Sequence, residues 1–95
     1  MTRFDVVDNV EAHRYEIRLG EDVAILTYVR GPEAIDLIHT EVPEHLRHDG
    51  VGGELVAFAI DDAIAKGLTV IPSCPFVEAW LRDHPDAAQR VGSIR

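Results

Sequence analysis

The sequence is short of the residues that would commit it to several common functions. Its 95 residues contain one cysteine, Cys74, which excludes an internal disulfide and a cysteine-built zinc site and makes a reducing cytoplasm the expectation. Five histidines are scattered with no His-x-x-x-His pair, so no metal site is expected. Cations are scarce. Nine Lys and Arg against 17 Asp and Glu give a formal net charge of −8, which repels nucleic-acid phosphates. That charge suits a cationic partner and equally suits plain solubility. No apolar run reaches membrane-spanning length, and Met1-Thr2-Arg3-Phe4-Asp5 lacks the apolar core of a signal peptide, so no membrane partner is expected. Repeats, linkers and low-complexity stretches are absent too. With 46% apolar residues, the chain reads as one domain, 1-95, around one core.

What is present alternates first at the period of strands. Residues 4–9 are a short strand candidate. Residues 13–19 place Tyr15, Ile17 and Leu19 on one face and charges on the other. Gly20-Glu21-Asp22 supplies a turn into a second β-branched run at 23–29, and Gly31-Pro32-Glu33 supplies the next. A third strand at 34–42 completes an antiparallel meander, stopped by Pro43.

The period then changes. Over 53–66, Leu55, Val56, Ala59, Ile60, Ala63 and Ile64 share one helical face, and Glu54, Asp61, Asp62 and Lys66 the other. Phe58 falls on the polar side, which suggests packing under the C-terminal segment. Lys66-Gly67 closes this helix, and 68–71 reads as a short buried strand. Strand 34–42, the helix and strand 68–71 make a βαβ unit with parallel strands. Pro75 opens a last helix at 76–83, with Cys74 at or beside its N-cap and His84-Pro85 as its stop. Trp80 and Leu81 are read as its anchors to the core. The tail 86–95 reads as weakly structured, with Val91 and Ile94 available to dock.

Between strand and helix stands Arg47-His48-Asp49-Gly50-Val51-Gly52-Gly53. A glycine turn opening a helix leaves backbone N–H groups unpaired at the positive end of the helix dipole, where a phosphate is stabilised. Glycine permits close backbone approach, and Arg47 adds a forked donor at the rim. The same cluster is also compatible with a simple turn.

Arg-x-x-Gly-x-Gly in this setting resembles the acetyl-CoA pyrophosphate loop of the GCN5-related N-acetyltransferases. His39-Thr40-Glu41-Val42-Pro43-Glu44, Pro72-x-Cys74-Pro75-Phe76-Val77 and His84-Pro85 are similar to a minimal YjdJ-type subgroup, over about the last two thirds of the chain. The resemblance implies an α/β (α+β) fold: a meander, then a βαβ unit with splayed parallel strands and a C-terminal helix. Acetyl-CoA would be the cosubstrate, with no metal. Backbone of His39, Thr40, Glu41 and Val42 would pair with pantetheine, and N–H groups from His48 to Gly53 would hold the pyrophosphate. The acceptor would be an amine, free or on a lysine-bearing protein, approaching a shallow open site. A monomer or weak dimer is the expectation.

Three side chains then become catalytic candidates. Cys74 sits where a following helix favours thiolate, and the resemblance puts that corner beside the thioester. It reads as a general acid to departing CoA, as a nucleophile, or as a small packing residue. His39 and Glu41 share a strand face and either can take a proton from the acceptor, or they are ordinary sheet residues. Tyr15 and Tyr28 lie in the N-terminal hairpin, far along the chain from that corner. Asp49 and Glu54 would oppose a polyanion unless both point outward. The implied activity is acetyl transfer by direct attack on the thioester. The alternative is a non-catalytic acyl-CoA-binding or protein-interaction module with the same fold.

Overall fold

The computed structural model describes residues 4–91. Five strands form one sheet in the order of the chain: β1 (Val6–Asn9), β2 (Arg14–Leu19), β3 (Asp22–Arg30), β4 (Ala34–Glu41) and β5 (Thr69–Ile71). The first four are antiparallel neighbours, and β5 is parallel to β4. A 3₁₀ helix (Glu44–Asp49) and helix α1 (Val51–Ala65) connect β4 to β5, and α2 (Pro75–Asp83) and α3 (Pro85–Val91) follow. This is the expected α/β architecture with a mixed sheet.

Alternation decides which face of the sheet is covered. Tyr15, Ile17, Leu26, Ile35, Leu37 and Val70 are all at most 1% exposed, and they join Leu55, Val56, Ala59, Ile60, Val77 and Leu81 of the helices in one core. The other face carries Val7, Val29, Ile38 and Ile71 in contact with solvent. One charge departs from the expected pattern. Glu16 faces away from α1 yet is 3% exposed, because Arg14 (2.7 Å), Arg18 (3.1 Å) and Asn9 (2.9 Å) close over its carboxylate. Those bonds, from Arg14 and Asn9 foremost, hold its carboxyl below the usual range against the opposing effect of burial.

The wheel assignment for α1 holds, and its C-terminus closes as Lys66-Gly67 implies. Gly67 has φ +70, its N–H donates to Ile64 C=O and that of Leu68 donates to Ala63 C=O. Among the described residues the ring partner of Phe58 lies on β2, not in the C-terminal segment. Its ring meets Tyr15 edge-on at 5.7 Å, because position 58 sits one turn before Asp62, which binds the Tyr15 hydroxyl. The tail is a second correction. Residues 85–91 form α3, a helix with Pro85 at its start and Asp86 in its first turn, docked through Ala87 and Val91. Ile94 lies outside the described residues.

Candidate functional site

The parallel ladder is short. Pairing of β4 with β5 runs from Ala34–Thr69 to Asp36–Ile71 and stops. Pro72 has no N–H to extend it. The Cys74 N–H makes one last bond to Leu37 C=O at 2.8 Å, and the chain then turns away into α2. Beyond that point β4 has β3 on one side and no strand on the other.

A bulge sets the side chains of this free stretch. Thr27 pairs with His39 and Tyr28 with Leu37, which leaves Ile38 without a partner. Cross-strand partners share a face, so Thr40, opposite Leu26, turns to the helix side. His39 and Glu41, opposite Thr27 and Ile25, turn to the open side, 60% and 70% exposed and 3.7 Å apart from Nε2 to Oε2. The Thr40 hydroxyl lies 3.4 Å from the Cys74 Sγ. Cys74 is the N-cap residue of α2 in position and backbone angles, but its side chain caps nothing and is 3% exposed.

The glycine turn is tighter than a loop. Residues 44–49 are 3₁₀-helical, Gly50 takes left-handed angles (φ 80, ψ 12), and α1 begins at Val51. The first bond of α1 is Glu54 N–H to Gly50 C=O at 3.1 Å, so the N–H groups of Val51, Gly52 and Gly53 have no partner within the helix. A Cβ on Gly52 would come within 2.9 Å of the Phe76 ring, and one on Gly53 within 3.4 Å of Trp80 Nε1. The absence of a side chain at 52 therefore lets the Phe76 ring lie against the turn, and a larger residue there would displace that ring.

These parts enclose a cleft of about 420 Å³. Its walls are His39, Thr40 and Glu41 from β4, Val42 just beyond it, Arg47, Gly50, Gly52 and Gly53 from the turn, and Phe76 from α2. Arg47 reaches the Val42 C=O from its Nε at 3.3 Å. Three residues expected at the phosphate stand apart from the walls. His48 and Asp49 are exposed, and the Val51 side chain is in the core, leaving only its N–H for the turn. Cys74 is likewise behind the wall, with Thr40 in front of it. Phe76 was not singled out for the cleft. The available signal was an aromatic residue directly after Pro75, at the mouth of a strand–helix corner. Glu54 is half-buried, and its Oε1 has no hydrogen-bond partner.

Neither tyrosine serves this cleft. The Tyr15 hydroxyl donates to Asp62 at 2.8 Å and that of Tyr28 donates to Asp8. Burial, then the Asp8 bond, pushes Tyr28 up to about 12; burial and Asp62 push Tyr15 up as well. His45 pairs with Asp22 at 3.0 Å on the surface, and His84 caps α2, stacked on Trp80 with ring centroids 3.9 Å apart. Trp80 is half-buried against Gly53; Leu81 is the deeper anchor at 1% exposure. Among the described residues no three His, Cys, Asp or Glu side chains converge as metal ligands, and no helix is long and apolar enough to cross a membrane.

A family model described as GCN5-related N-acetyl-transferase matches residues 14–91. Protein NATD1 of Danio rerio is 30% identical over 95 residues, covering 95% of this chain and 86% of that protein. Protein NATD1 of Mus musculus is 28% identical over 78 residues, 79% of this chain and 71% of the relative. Glutamate N-acetyltransferase Oat2 of Streptomyces clavuligerus is 34% identical over 74 residues, which is 78% of this chain and 18% of that longer protein. The family match spans every element from β2 to α3, including the parted strands and the glycine turn that form the cleft. The chain belongs to the GCN5-related N-acetyltransferase family.

Proposed function

We propose that this protein transfers an acetyl group from acetyl-CoA to an amine, in the cytoplasm, as a monomer or weak dimer. The observation that carries the reading is the gap after Asp36–Ile71, where β4 offers unpaired backbone groups beside a glycine turn with unpaired N–H groups. Pantetheine amides pair with the first set, and the pyrophosphate rests on the second with Arg47 at the rim. Phe76 and Gly52 narrow the cleft between them.

In this reading the amine nitrogen attacks the thioester carbonyl carbon. Backbone N–H groups of β4 steady the oxyanion, and the C–S bond then breaks. The proton lost by the acceptor goes to His39 or Glu41, directly or through water, on the open face of β4. The thiolate takes a proton back from Cys74 through the Thr40 hydroxyl, since Thr40 lines the cleft and Cys74 stands 3.4 Å behind it. One observation favours the second reading, an acyl-CoA-binding module without turnover: Cys74 is 3% exposed, so no side-chain acid faces the sulfur directly.

Calorimetry with CoA, followed by thiol release from acetyl-CoA across a panel of amines, tests both readings. CoA binding with turnover supports transfer; binding without turnover selects the module. Absence of both would remove the assignment of the cleft. Arg47→Glu is expected to weaken CoA about tenfold, close to 1.4 kcal/mol, without unfolding the chain. Cys74→Ala should bind CoA normally and lose turnover by roughly 10²–10⁴-fold if it supplies the proton. Unchanged turnover would leave Cys74 a packing residue.

A further inference from the structure

We propose that the open face of the sheet is the contact surface of a reversible homodimer, in which β2 of one copy lies over β4 of the other. The inference stands apart from acetyl transfer and begins from register. Strand pairing gives the face three columns of distinct chemistry. At the centre β3 presents Val23, Ile25, Thr27 and Val29, with no charge among them. On one flank β2 presents Arg14, Glu16 and Arg18, and on the other β4 presents Asp36, His39 and Glu41. Val7 of β1 and Ile71 of β5 extend the apolar surface to the two edges. Ile17, Leu26 and Leu37 lie on the opposite side with the core residues of the helices, so no described helix lies over these columns. Val29, in the middle, is 64% exposed.

Charge identifies the occupant as a second copy. With histidine neutral, two arginines against Glu16, Asp36 and Glu41 leave the columns nearly balanced, whereas the chain as a whole carries a formal −8. Repulsion between copies is therefore small across this face. What imbalance remains is divided. The β2 column is net positive and the β4 column net negative. A two-fold axis running along β3 lays each β2 over the other copy's β4, positive on negative, and sets β3 against β3. An axis across the strands lays like columns on like, which charge disfavours. Arg18 is the contact side chain on β2. It binds Glu16 through one amine at 3.1 Å, and its side chain is 71% exposed, so its guanidinium is also open to Glu41 of the other copy.

The size of the face sets the strength of the contact. Five strands about 4.8 Å apart and about 20 Å long offer about 500 Å² per copy, or about 1,000 Å² in all. That is the low end for a specific interface, so the dimer is weak and depends on concentration. The glycine turn and Phe76 belong to the helix layer, and the contact leaves that side of the cleft uncovered. His39 and Glu41 lie under the contact. In the transfer reading an amine therefore reaches them in the separated copy, and association and transfer alternate.

Sedimentation equilibrium of the chain alone, over about 10–500 µM in about 0.15 M salt, tests the contact without acetyl-CoA or an amine. The average mass is expected to rise with concentration toward twice that of the chain. Val29→Glu, at an exposed central position, should weaken association about tenfold or more. Arg18→Glu and Glu41→Arg should each weaken it about tenfold by setting like charges across the contact. Both exchanges in one chain should restore it to within about threefold of wild type. Val29→Glu and Glu41→Arg change exposed side chains, so they decide the question even if Arg18→Glu, which borders Glu16, unfolds. A single-chain mass at every concentration overturns the dimer and leaves the face to a different protein. A dimer that persists in Val29→Glu overturns this face, and a double exchange that restores nothing overturns the pairing of β2 with β4. Any of these leaves acetyl transfer standing. A dimer of the expected kind in a protein that transfers nothing removes the activity alone.

Discussion

The two ends of α1 are built on opposite plans. At its C-terminal end polar groups meet polar groups. Asp62 accepts from the Tyr15 hydroxyl and from Lys66, both at 2.8 Å, and Asp8 accepts from Tyr28 and from Arg30 at 3.1 Å. Together they tie β1, β2 and β3 to the helix. At its N-terminal end no side chain caps the helix, three N–H groups have no partner within it, and the adjoining strand stops pairing. The contrast separates two tasks. A network of bonded polar groups resists opening and fixes where the sheet sits under the helix, although the Arg30 Nε within it has no partner. The open end leaves its backbone donors without a partner inside the helix, as the proposed reading of the cleft requires.

The largest expected effect probes that division directly. Tyr15 is fully buried, with its ring against Tyr28 (centroids 5.0 Å apart) and Phe58. Tyr15→Ala removes this packing and leaves Asp62 short of a donor, which should cost about 3–5 kcal/mol in urea denaturation. His39→Ala at the other end, 60% exposed, should stay within about 0.5 kcal/mol. Equal costs would show that the closed end does not carry the stability.

A middle-sized effect is read from pH. Tyr28 is raised from 10.0 to about 12, so the folded state favours its neutral form. Its contribution is fully present below pH 10 and is lost as pH rises through about 12, an alkaline fall of about 1–3 kcal/mol that Tyr15 reinforces. Glu16 runs the other way. Its folded carboxyl is held below the usual 4.5, so its contribution is present above that pH and disappears as acid protonates it. Asp62 adds to the acid limb, since Lys66 and Tyr15 together outweigh the opposing effect of burial. Urea midpoints across pH should therefore fall at both extremes, with Tyr28→Phe flattening the alkaline limb alone. An unchanged alkaline limb in that variant would detach Tyr28 from it.

The parts legible in the sequence were those with a local cause. Gly50, Gly52 and Gly53 between a β-branched run and a period-3.6 run announce the turn and α1, and Lys66-Gly67 its end. Pro72 and Pro75 announce the corner at Cys74. Features with distant causes were not legible. The bulge at Ile38 depends on how β3 and β4 align, and strand alternation through 34–42 carries no mark of the extra residue. Burial of Glu16 needs Asn9 on another strand, and the role of Phe76 needs α2 brought against Gly52. The partner of Phe58 follows from the pairing of Asp62 with Tyr15, 47 residues apart in sequence.

Helix α3 shows why a short amphipathic run is hard to read, and it supplies the smallest expected effect. Seven residues cannot hold a helix alone, because nucleation costs more than so few bonds return. What holds 85–91 is therefore tertiary, and two candidates are visible. Ala87 and Val91, one turn apart and each 9% exposed, dock against the core. Arg90 also reaches Asp61 of α1 at 3.0 Å. The ion pair is the weaker candidate, since its side chains are 54% and 65% exposed and water and salt screen them. Asp61→Ala should change urea stability by less than about 0.5 kcal/mol, and 1 M salt should change the wild type as little through this pair. A loss above about 1 kcal/mol in Asp61→Ala would move the anchoring of α3 from its two apolar residues to the ion pair.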